Sequence, residues 1–225
     1  MSLQAEAISK RYFRVTGQAN YFEAVKPLSL TLTPGSVTVL MGRSGSGKTT
    51  LLHMLSGLLT PTSGRVLMDD TDLYALKDAS LSLLRNERIA VVPQGRSAVD
   101  TLTVMENVLL PRQLYGKMAP AGEAEKWLEA LGIESLRDAP ARELSGGELR
   151  RTAIARALVQ QPQALLADEP TGDLDDENTR LTLSVLRDQA KRENRIVFIV
   201  THEAEALAFA DDAWKMEAGA LLPIA

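Results

Sequence analysis

The segment "SVTVLMGRSGSGKTTLLHMLSGLL", residues 36–59, decides the fold class of this chain. Its first six residues are β-branched or apolar for the most part, which is typical of a buried strand, and we expect that strand to end at Gly42. Apolar residues then recur at helical spacing over residues 49–59, and "TPTSG" follows as a turn. A buried strand, a glycine-rich turn and a helix predict an α/β protein with a parallel sheet.

The turn, "GRSGSGKT", fits the pattern G-x-x-x-x-G-K-[ST] of a phosphate-binding loop. In such a loop, glycines let the backbone N–H groups point at the α- and β-phosphates, Lys48 neutralises the β/γ oxygens, and the Thr49 hydroxyl is a ligand of Mg²⁺. A plain glycine-rich turn is the alternative, but the strand and helix on either side favour the phosphate loop. The loop residues expected to contact the nucleotide are Gly42, Arg43, Ser44, Gly45, Ser46, Gly47, Lys48, Thr49 and Thr50.

Three further apolar runs end in polar side chains. They are "RIAVVPQ" (88–94), "QALLADEP" (163–170) and "RIVFIVTH" (195–202), and their polar ends are Gln94, Asp168 with Glu169, and His202. In an open parallel sheet, ligands bind beyond the carboxyl ends of the strands. We therefore expect these side chains to gather at one site with the phosphate loop.

Each polar strand end has a predicted role. Asp168 is expected to be a second Mg²⁺ ligand, and Glu169 to accept a proton from the attacking water as general base. His202 is expected to contact the γ-phosphate, and Gln94 to reach Mg²⁺ or the attacking water through its amide. Without the phosphate loop, solvated acids and a surface histidine would explain the same residues. His53 lies on the apolar helix, and we interpret it as a packing residue.

The chain between Gln94 and residue 160 differs in its predicted secondary structure. It contains the helical patterns "AGEAEKWLEALGI" (121–133) and "GELRRTAIARALVQQ" (147–161) and no convincing strand. We therefore predict one domain of 225 residues, with an α/β core formed by residues 1–93 and 161–225 and an inserted helical subdomain at 94–160.

Composition excludes several classes of function. The net charge of −4 gives no electrostatic reason to expect a nucleic-acid partner. The absence of cysteine excludes disulfides, thiolate nucleophiles and cysteine metal sites. No apolar run approaches the about 18 residues needed to span a bilayer, and the N-terminus lacks the apolar core of a secretory signal. Any work at a membrane therefore needs a separate membrane polypeptide.

The stretch "ELSGGELRR" (143–151) has two interpretations, and its residues alone do not decide between them. Ser145 and Glu148 form the S-x-x-E pattern of a capping box, followed by an apolar helical stripe, so one interpretation is a capped helix start and nothing more. The other is an anion site, because a glycine-opened helix N-terminus presents free N–H groups and the positive end of the helix dipole.

The order of the motifs along the chain favours the anion site, because it resembles the order in a known family. GRSGSGKT, Gln94, LSGGE, LLADEP, TGDLD and finally His202 resemble the ATP-binding-cassette (ABC) ATPase family over essentially the whole chain. The resemblance implies an α/β P-loop NTPase (RecA-like) core with a mostly parallel sheet, an N-terminal antiparallel β portion and an inserted helical subdomain. It also implies an ATPase that uses ATP and Mg²⁺ and that packs head to tail with a second copy of itself.

Further site residues follow from the resemblance alone. Two ATP molecules are expected between the two copies, each held by the phosphate loop of one and the LSGGE helix of the other. The residues implied to meet the partner's ATP are Ser145, Gly146, Gly147 and Glu148, and Asp175 of TGDLD is implied to communicate across the dimer. Tyr12 stands where the family places an aromatic residue on adenine. Its competitors for that role are Phe13, Tyr21 and Phe22.

The resemblance also implies a membrane permease partner, docked near Gln94 and the helical subdomain, which holds the chain on the cytoplasmic face of the inner or plasma membrane. "LRNERIAVVPQ", "TVMENVLLP" and "DEPTGDLD" look most like the macrolide-export, lipoprotein-release and cell-division branch. Two departures bear on the branch: Asp173 stands where those relatives often have Asn, and "GRSAVD" after Gln94 lacks their bulky apolar residues.

Other functions remain to be weighed against an exporter. An importer ATPase has the same motifs, and a soluble non-transport ABC ATPase, such as the iron–sulfur assembly type, has a similar size. A small-molecule kinase would use the phosphate loop but would leave LSGGE and His202 without a role.

Overall fold

The computed structural model describes residues 2–13, 21–120 and 122–224. Ala121, the first residue of the predicted helix 121–133, lies outside the described residues, as do residues 1 and 225 at the ends of the predicted domain.

The described ranges contain ten strands and six α-helices. The strands are β1 (Leu3–Phe13), β2 (Tyr21–Leu32), β3 (Val37–Met41), β4 (Ser63–Met68), β5 (Thr71–Asp72), β6 (Ile89–Val92), β7 (Ala164–Asp168), β8 (Ile196–Thr201), β9 (Asp212–Glu217) and β10 (Ala220–Pro223). The helices are α1 (Lys48–Leu55), α2 (Asp78–Arg88), α3 (Val104–Gln113), α4 (Glu123–Ala130), α5 (Gly146–Leu158) and α6 (Asp176–Lys191). The short 3₁₀ helices are Leu73–Ala75, Glu134–Leu136, Ala141–Glu143 and Ala204–Phe209.

The strands form two sheets. A six-stranded sheet has the order β10-β9-β3-β8-β7-β6, and every neighbouring pair from β9 to β6 is parallel, while β10 is antiparallel to β9. A four-stranded antiparallel sheet has the order β2-β1-β4-β5. The predicted fold class, a mostly parallel α/β core with an N-terminal antiparallel portion, is therefore confirmed.

The parallel strands β3, β6, β7 and β8 are buried on both faces, because helices or the second sheet cover each side. Alternate residues along β8 enter different cores: Val197 and Ile199 pack with helices α3 to α6, whereas Phe198 and Val200 pack with α1 and the antiparallel sheet. This explains why the sequence of each central strand is a continuous apolar run rather than an alternating one.

The described residues between Gln94 and residue 160 form helices α3 to α5, and the only bridge there joins Thr103 to Pro140 outside any named strand. Their apolar side chains share one continuous core with a face of the parallel sheet. The absence of strands fits the expected helical insertion, while its boundaries as a separate subdomain stay a prediction. In the ranges that the structure describes, no helix is long and apolar enough to cross a bilayer.

Helix α1 ends four residues before the predicted end at Leu59. Gly57 takes a left-handed conformation with φ of 74°, and the N–H of Leu58 turns back to donate to the carbonyl of His53 at 3.0 Å. This is the usual glycine termination of a helix, in which a residue with positive φ closes the last turn. The helical spacing of Leu58 and Leu59 was misleading because it continues past that glycine.

Candidate functional site

The carboxyl ends of four parallel strands meet at one edge of the sheet. Strand β3 leads into the phosphate loop, β6 is followed by Gln94, β7 by Glu169, and β8 by His202. A cavity of about 560 Å³ opens at this edge. It is lined by Tyr12, Phe22, Ala24, Arg43, Ser44, Gly45, Gly47, Lys48, Thr49, Thr50, Gln94, Asp168, Glu169 and His202.

Most of the sequence-predicted site residues therefore share this first pocket. Gly42 and Ser46 belong to the same loop but do not line the cavity, since Ser46 folds back and its N–H donates to the Arg43 carbonyl at 3.2 Å. Of the four candidate aromatic residues, Tyr12 and Phe22 line the pocket and Phe13 and Tyr21 do not.

The alternation of side chains along the strands explains this division of the aromatic residues. Tyr12 on β1 pairs with Phe22 on β2, so the two side chains share one face of the ribbon. Phe13 and Tyr21 form the next pair and face the other side, where their rings meet edge to face at 6.3 Å.

Gly47 fixes the loop under the antiparallel sheet. Its φ is 108°, and a β-carbon at this position would lie 2.2 Å from the carbonyl oxygen of Ala24 on β2. Only glycine permits this close approach. The approach holds the β1–β2 ribbon, and with it Tyr12 and Phe22, over one end of the cavity.

Lys48 is the first residue of α1 and is almost fully buried. Its ammonium donates to the carbonyl oxygens of Gly42 at 2.6 Å and Arg43 at 3.2 Å, and lies 4.0 Å from the Glu169 carboxylate. The loop thus holds a desolvated positive charge inside its own curve, at a helix N-terminus that also favours anions.

The Glu169 carboxylate is held by three groups from the end of β8. It accepts the Thr201 hydroxyl at 3.0 Å and the His202 backbone N–H at 3.4 Å, and the His202 ring Nδ1 lies 3.0 Å from both of its oxygens. The backbone of Glu169 has a φ of 50°, which is uncommon for a residue with a β-carbon and is often found at functional sites. The carboxylate is therefore buried, oriented and close to Lys48.

Asp168 has an oxygen that no described group satisfies. Its Oδ2 is buried without a hydrogen-bond partner among the described residues. Burial raises the pKa of the Asp168 carboxyl, while a hydrogen bond from the Thr49 hydroxyl lowers it. Such an orphaned carboxylate oxygen needs a partner of another kind, such as a cation.

Thr49, Gln94 and Asp168 all line the pocket. Within the described part of the chain, no three histidine, aspartate or glutamate side chains gather as a metal site. Hydroxyl, amide and carboxylate oxygens nevertheless suit Mg²⁺, which uses few protein ligands and completes its shell with water and phosphate oxygens. The residues present fit that ion.

His202 allows a direct test of this carboxylate–imidazole contact. The Glu169 carboxylate, through its hydrogen bond and its charge, holds the pKa of His202 above the ordinary value of about 6.5. In the Glu169→Gln variant the pKa should fall, which an NMR titration of the ring protons measures, with a His53→Gln variant to identify the signal. The pair should stabilise the fold fully below the ordinary pKa and lose that effect as pH rises through the raised one. An unchanged titration in Glu169→Gln would contradict the contact.

Four further predicted residues, Ser145, Gly146, Gly147 and Asp175, lie in a second pocket that shares no lining residue with the first. Its volume is about 440 Å³, and it is lined by Ser145, Gly146, Gly147, Arg151, Asp173, Leu174, Asp175 and Asn178. Two of these residues, Arg151 and Asn178, were not predicted from the sequence, and their side chains hydrogen-bond to each other. The sequence signal that could have identified Arg151 is its position about one turn into a helix that begins with two glycines.

A complete capping box begins helix α5 beside the second pocket. The Ser145 hydroxyl accepts the N–H of Glu148, and the Glu148 carboxylate accepts the Ser145 N–H at 2.7 Å. A hydrogen bond from the Ser145 hydroxyl also lowers the pKa of Glu148. Glu148 is used in this cap and does not line the pocket, while Ser145 and Gly146 are exposed at the first turn of α5.

Asp175 caps the next helix. Its carboxylate accepts the Asn178 N–H at 2.8 Å, which, together with the Asn178 side chain, lowers the pKa of Asp175. The cap begins α6 beside the glycines of α5. The capped-helix interpretation of the sequence thus holds for α5, and it leaves the first N–H groups of α5 facing an open pocket.

Comparison with known protein families and structures gives consistent matches. The family model described as "ABC transporter" matches residues 25–172. The ATP-binding protein LolD of the lipoprotein-releasing system of Shewanella frigidimarina is 37% identical over 99% of this chain and 93% of its own. The ABC transporter ATP-binding protein YvcR of Bacillus subtilis is 35% identical over 92% of this chain and 80% of its own.

Two solved structures have the same fold. The dimeric structure of MJ0796, a bacterial ABC transporter cassette, is 30% identical, covers 96% of this chain and 95% of its own, and superposes with a TM-score of 0.89. The same cassette in a dimeric post-hydrolysis state bound to ADP and Pi is 29% identical, covers 99% of both chains and has a TM-score of 0.90.

Proposed function

The chain belongs to the ABC transporter family, and from that membership we propose that two copies of it bind and hydrolyse two ATP molecules at their mutual boundary to drive a membrane permease. The observation that carries the proposal is the separation of the two phosphate-facing loops into pockets with no shared residue. One chain thus has half of each of two sites. The dimeric state of the MJ0796 cassette supports the same arrangement for this chain.

The first pocket supports binding of ATP from adenine to γ-phosphate. Tyr12 or Phe22 stacks on the adenine ring, since both line the same end of the pocket. The N–H groups of the loop and of the first turn of α1 hold the phosphates, and Lys48 moves from the loop carbonyls to the β/γ oxygens. Thr49, Asp168 and Gln94 would hold Mg²⁺, which would neutralise phosphate charge.

Glu169 is proposed as the general base that accepts the proton of the attacking water. The ring and backbone of His202, with Thr201, fix the direction of the carboxylate, so that orientation costs little during the reaction. His202 lines the pocket, and its second ring nitrogen is proposed to donate a proton to a γ-phosphate oxygen. Gln94 holds the attacking water or the cation from the other strand end.

The second pocket completes the site of a partner copy. Ser145, Gly146 and Gly147 present a hydroxyl and helix N-terminal N–H groups to the γ-phosphate bound by the partner. These contacts exist only when the two copies close, so ATP has a higher affinity for the closed dimer and shifts the equilibrium towards it. Hydrolysis and phosphate release then reopen the dimer and return the permease to its other state.

A permease is proposed to dock near Gln94 and the helical insertion. Leu58 and Tyr115 are exposed and line a shallow groove along β6, which leads towards Gln94, and the Tyr115 hydroxyl donates to the Ser82 carbonyl across that groove. Exposed apolar side chains gathered in one groove are typical of an interaction site. The LolD relatives belong to lipoprotein-releasing systems, so we propose an exporter or lipoprotein-release permease and a position on the cytoplasmic face of the membrane.

The test is purification of the Glu169→Gln chain from its native cells in mild detergent with ATP, followed by mass spectrometry of the proteins that copurify. We expect a partner with few membrane spans and a large extracytoplasmic domain. A Lys48→Ala chain, impaired in ATP binding, is the control and should retain less partner. A many-spanning permease with a solute-binding protein would mean import, and soluble partners alone would overturn the transport function.

A further inference from the structure

One short turn connects the two pockets. It begins with Glu169 in the first pocket, runs through Thr171, and reaches Asp173 and Asp175 in the second. Both Glu169 and Asp173 have positive φ, at 50° and 68°. Because such backbone is unfavourable for residues with a β-carbon, surrounding contacts must hold the turn in place.

The turn is tied to the end of β8 by Glu203. The hydroxyl of Thr171, which is 1% exposed, donates to the carboxylate of Glu203. A hydroxyl that donates to an ionised carboxylate makes one of the stronger kinds of hydrogen bond in proteins. Glu203 directly follows His202 in the chain, so this bond joins the strand end that orients the Glu169 carboxylate to the turn that leads to the second pocket.

The hydrogen bond between Thr171 and Glu203 closes a ring of contacts. The N–H of Glu203 donates to the Thr201 hydroxyl at 3.1 Å, and that hydroxyl donates to the Glu169 carboxylate at 3.0 Å. Glu169 is two residues from Thr171, and its carbonyl accepts the Gly172 N–H at 3.2 Å. The ring therefore passes through the side chain that faces the water and through the turn that faces the partner copy.

We propose that Glu203 is a positioning residue that couples the two half-sites, a role that rests on the proposed ATP sandwich. Through Thr171 it fixes the turn, so that the Glu169 carboxylate and the Asp173–Asp175 end take up their positions together. Movement of the second pocket as a partner docks is then transmitted to Glu169. Neither Glu203 nor Thr171 lines either pocket, so their effect on catalysis is indirect.

The test compares Glu203→Ala and Thr171→Val, each of which removes one side of the bond. We expect either change to lower kcat for ATP about tenfold with little change in KM, because a small misplacement of the base slows the chemical step without loss of the ground-state contacts. The double variant should fall no further than either single one, since both act through one bond. Thr171→Ser, which keeps the hydroxyl, should restore turnover.

Coupling has a readout of its own. In the Glu169→Gln background, Glu203→Ala should raise the ATP concentration needed for half-maximal dimer formation severalfold, while ATP binding to the separated chain is unchanged. Glu205→Ala is the matched control, because Glu205 lies in the 3₁₀ helix that begins directly after Glu203 but pairs with Arg180 at 2.9 Å on the surface. It should leave turnover and dimer formation unchanged.

The outcomes separate this inference from the proposed function. If Glu169→Gln forms no dimer with ATP, the ATP sandwich itself fails. If that dimer forms but Glu203→Ala leaves both kcat and dimer formation unchanged, the sandwich stands and the coupling role is overturned. A loss in Glu203→Ala without an equal loss in Thr171→Val would also overturn it, since the bond between them would not be the route. Glu203→Gln, which keeps an acceptor for Thr171, serves if Glu203→Ala does not fold.

Discussion

Replacement of Glu169 with glutamine is expected to reduce ATP turnover at least about a hundredfold and to leave a stable ATP-bound dimer. The amide has the same shape as the carboxylate, so it can accept from Thr201 and donate to the His202 ring, whose Nδ1 lies 3.0 Å away. It cannot accept a proton from water. Binding and closure should therefore proceed while the chemical step stops.

Phosphate release and size-exclusion chromatography with ATP measure the two halves of this prediction. Glu205→Gln, a similar change at a surface ion pair outside the pocket, should have the turnover of the unmodified chain. Normal hydrolysis by Glu169→Gln would show that another group accepts the proton. Loss of hydrolysis without a dimer would mean that Glu169 is needed for closure rather than for chemistry.

The fold was predictable because its core strands are local and strongly patterned. Each of β3, β6, β7 and β8 lies within a quoted apolar run, since a strand buried on both faces leaves a continuous apolar signal. The end of α1 was wrong by four residues, because Gly57 ends the helix while the apolar spacing continues. Helix ends depend on single backbone conformations that periodicity does not record.

The composition of the first pocket was predictable for a topological reason. Parallel strands place their carboxyl ends together, so polar residues at four strand ends converge without any knowledge of packing. The hydrogen bond between Thr171 and Glu203 could not be predicted from the order of the strands. Thr171 belongs to TGDLD, but that motif predicts no contact with Glu203, which lies in no quoted motif. Their contact depends on how two turns fold over each other beyond the sheet edge.

The second pocket was only partly predictable from the sequence. Sequence predicted the capping box of Ser145 and Glu148, and the structure has it, but a capped helix is equally good as a structural end and as an anion site. Only the order of motifs favoured the second use. The geometry adds that the first turn of α5 faces a pocket in which Lys48 and Glu169 have no part, so its proposed role needs another copy of the chain.

Mixing two inactive variants tests that requirement directly. Lys48→Ala impairs the first pocket, and Gly146→Asp places a negative charge at the second, where the partner's γ-phosphate is proposed to bind. A β-carbon on Gly146 would meet Asp173 at 3.4 Å, an ordinary contact, and an acidic residue in the first turn suits a helix N-terminus, so the fold should tolerate the change. Each variant alone should have almost no ATPase activity.

An equal mixture should recover up to about a quarter of the normal rate, because half of the dimers are mixed and each of those has one intact pair of half-sites. In that pair, the Gly146→Asp chain supplies Lys48 and Glu169, and the Lys48→Ala chain supplies Ser145 to Gly147. The control is a chain with both changes mixed with either single variant, which rebuilds no intact pair of half-sites and should stay inactive. If both loops served one ATP within a single chain, neither variant could supply what the other lacks, and the mixture would stay inactive.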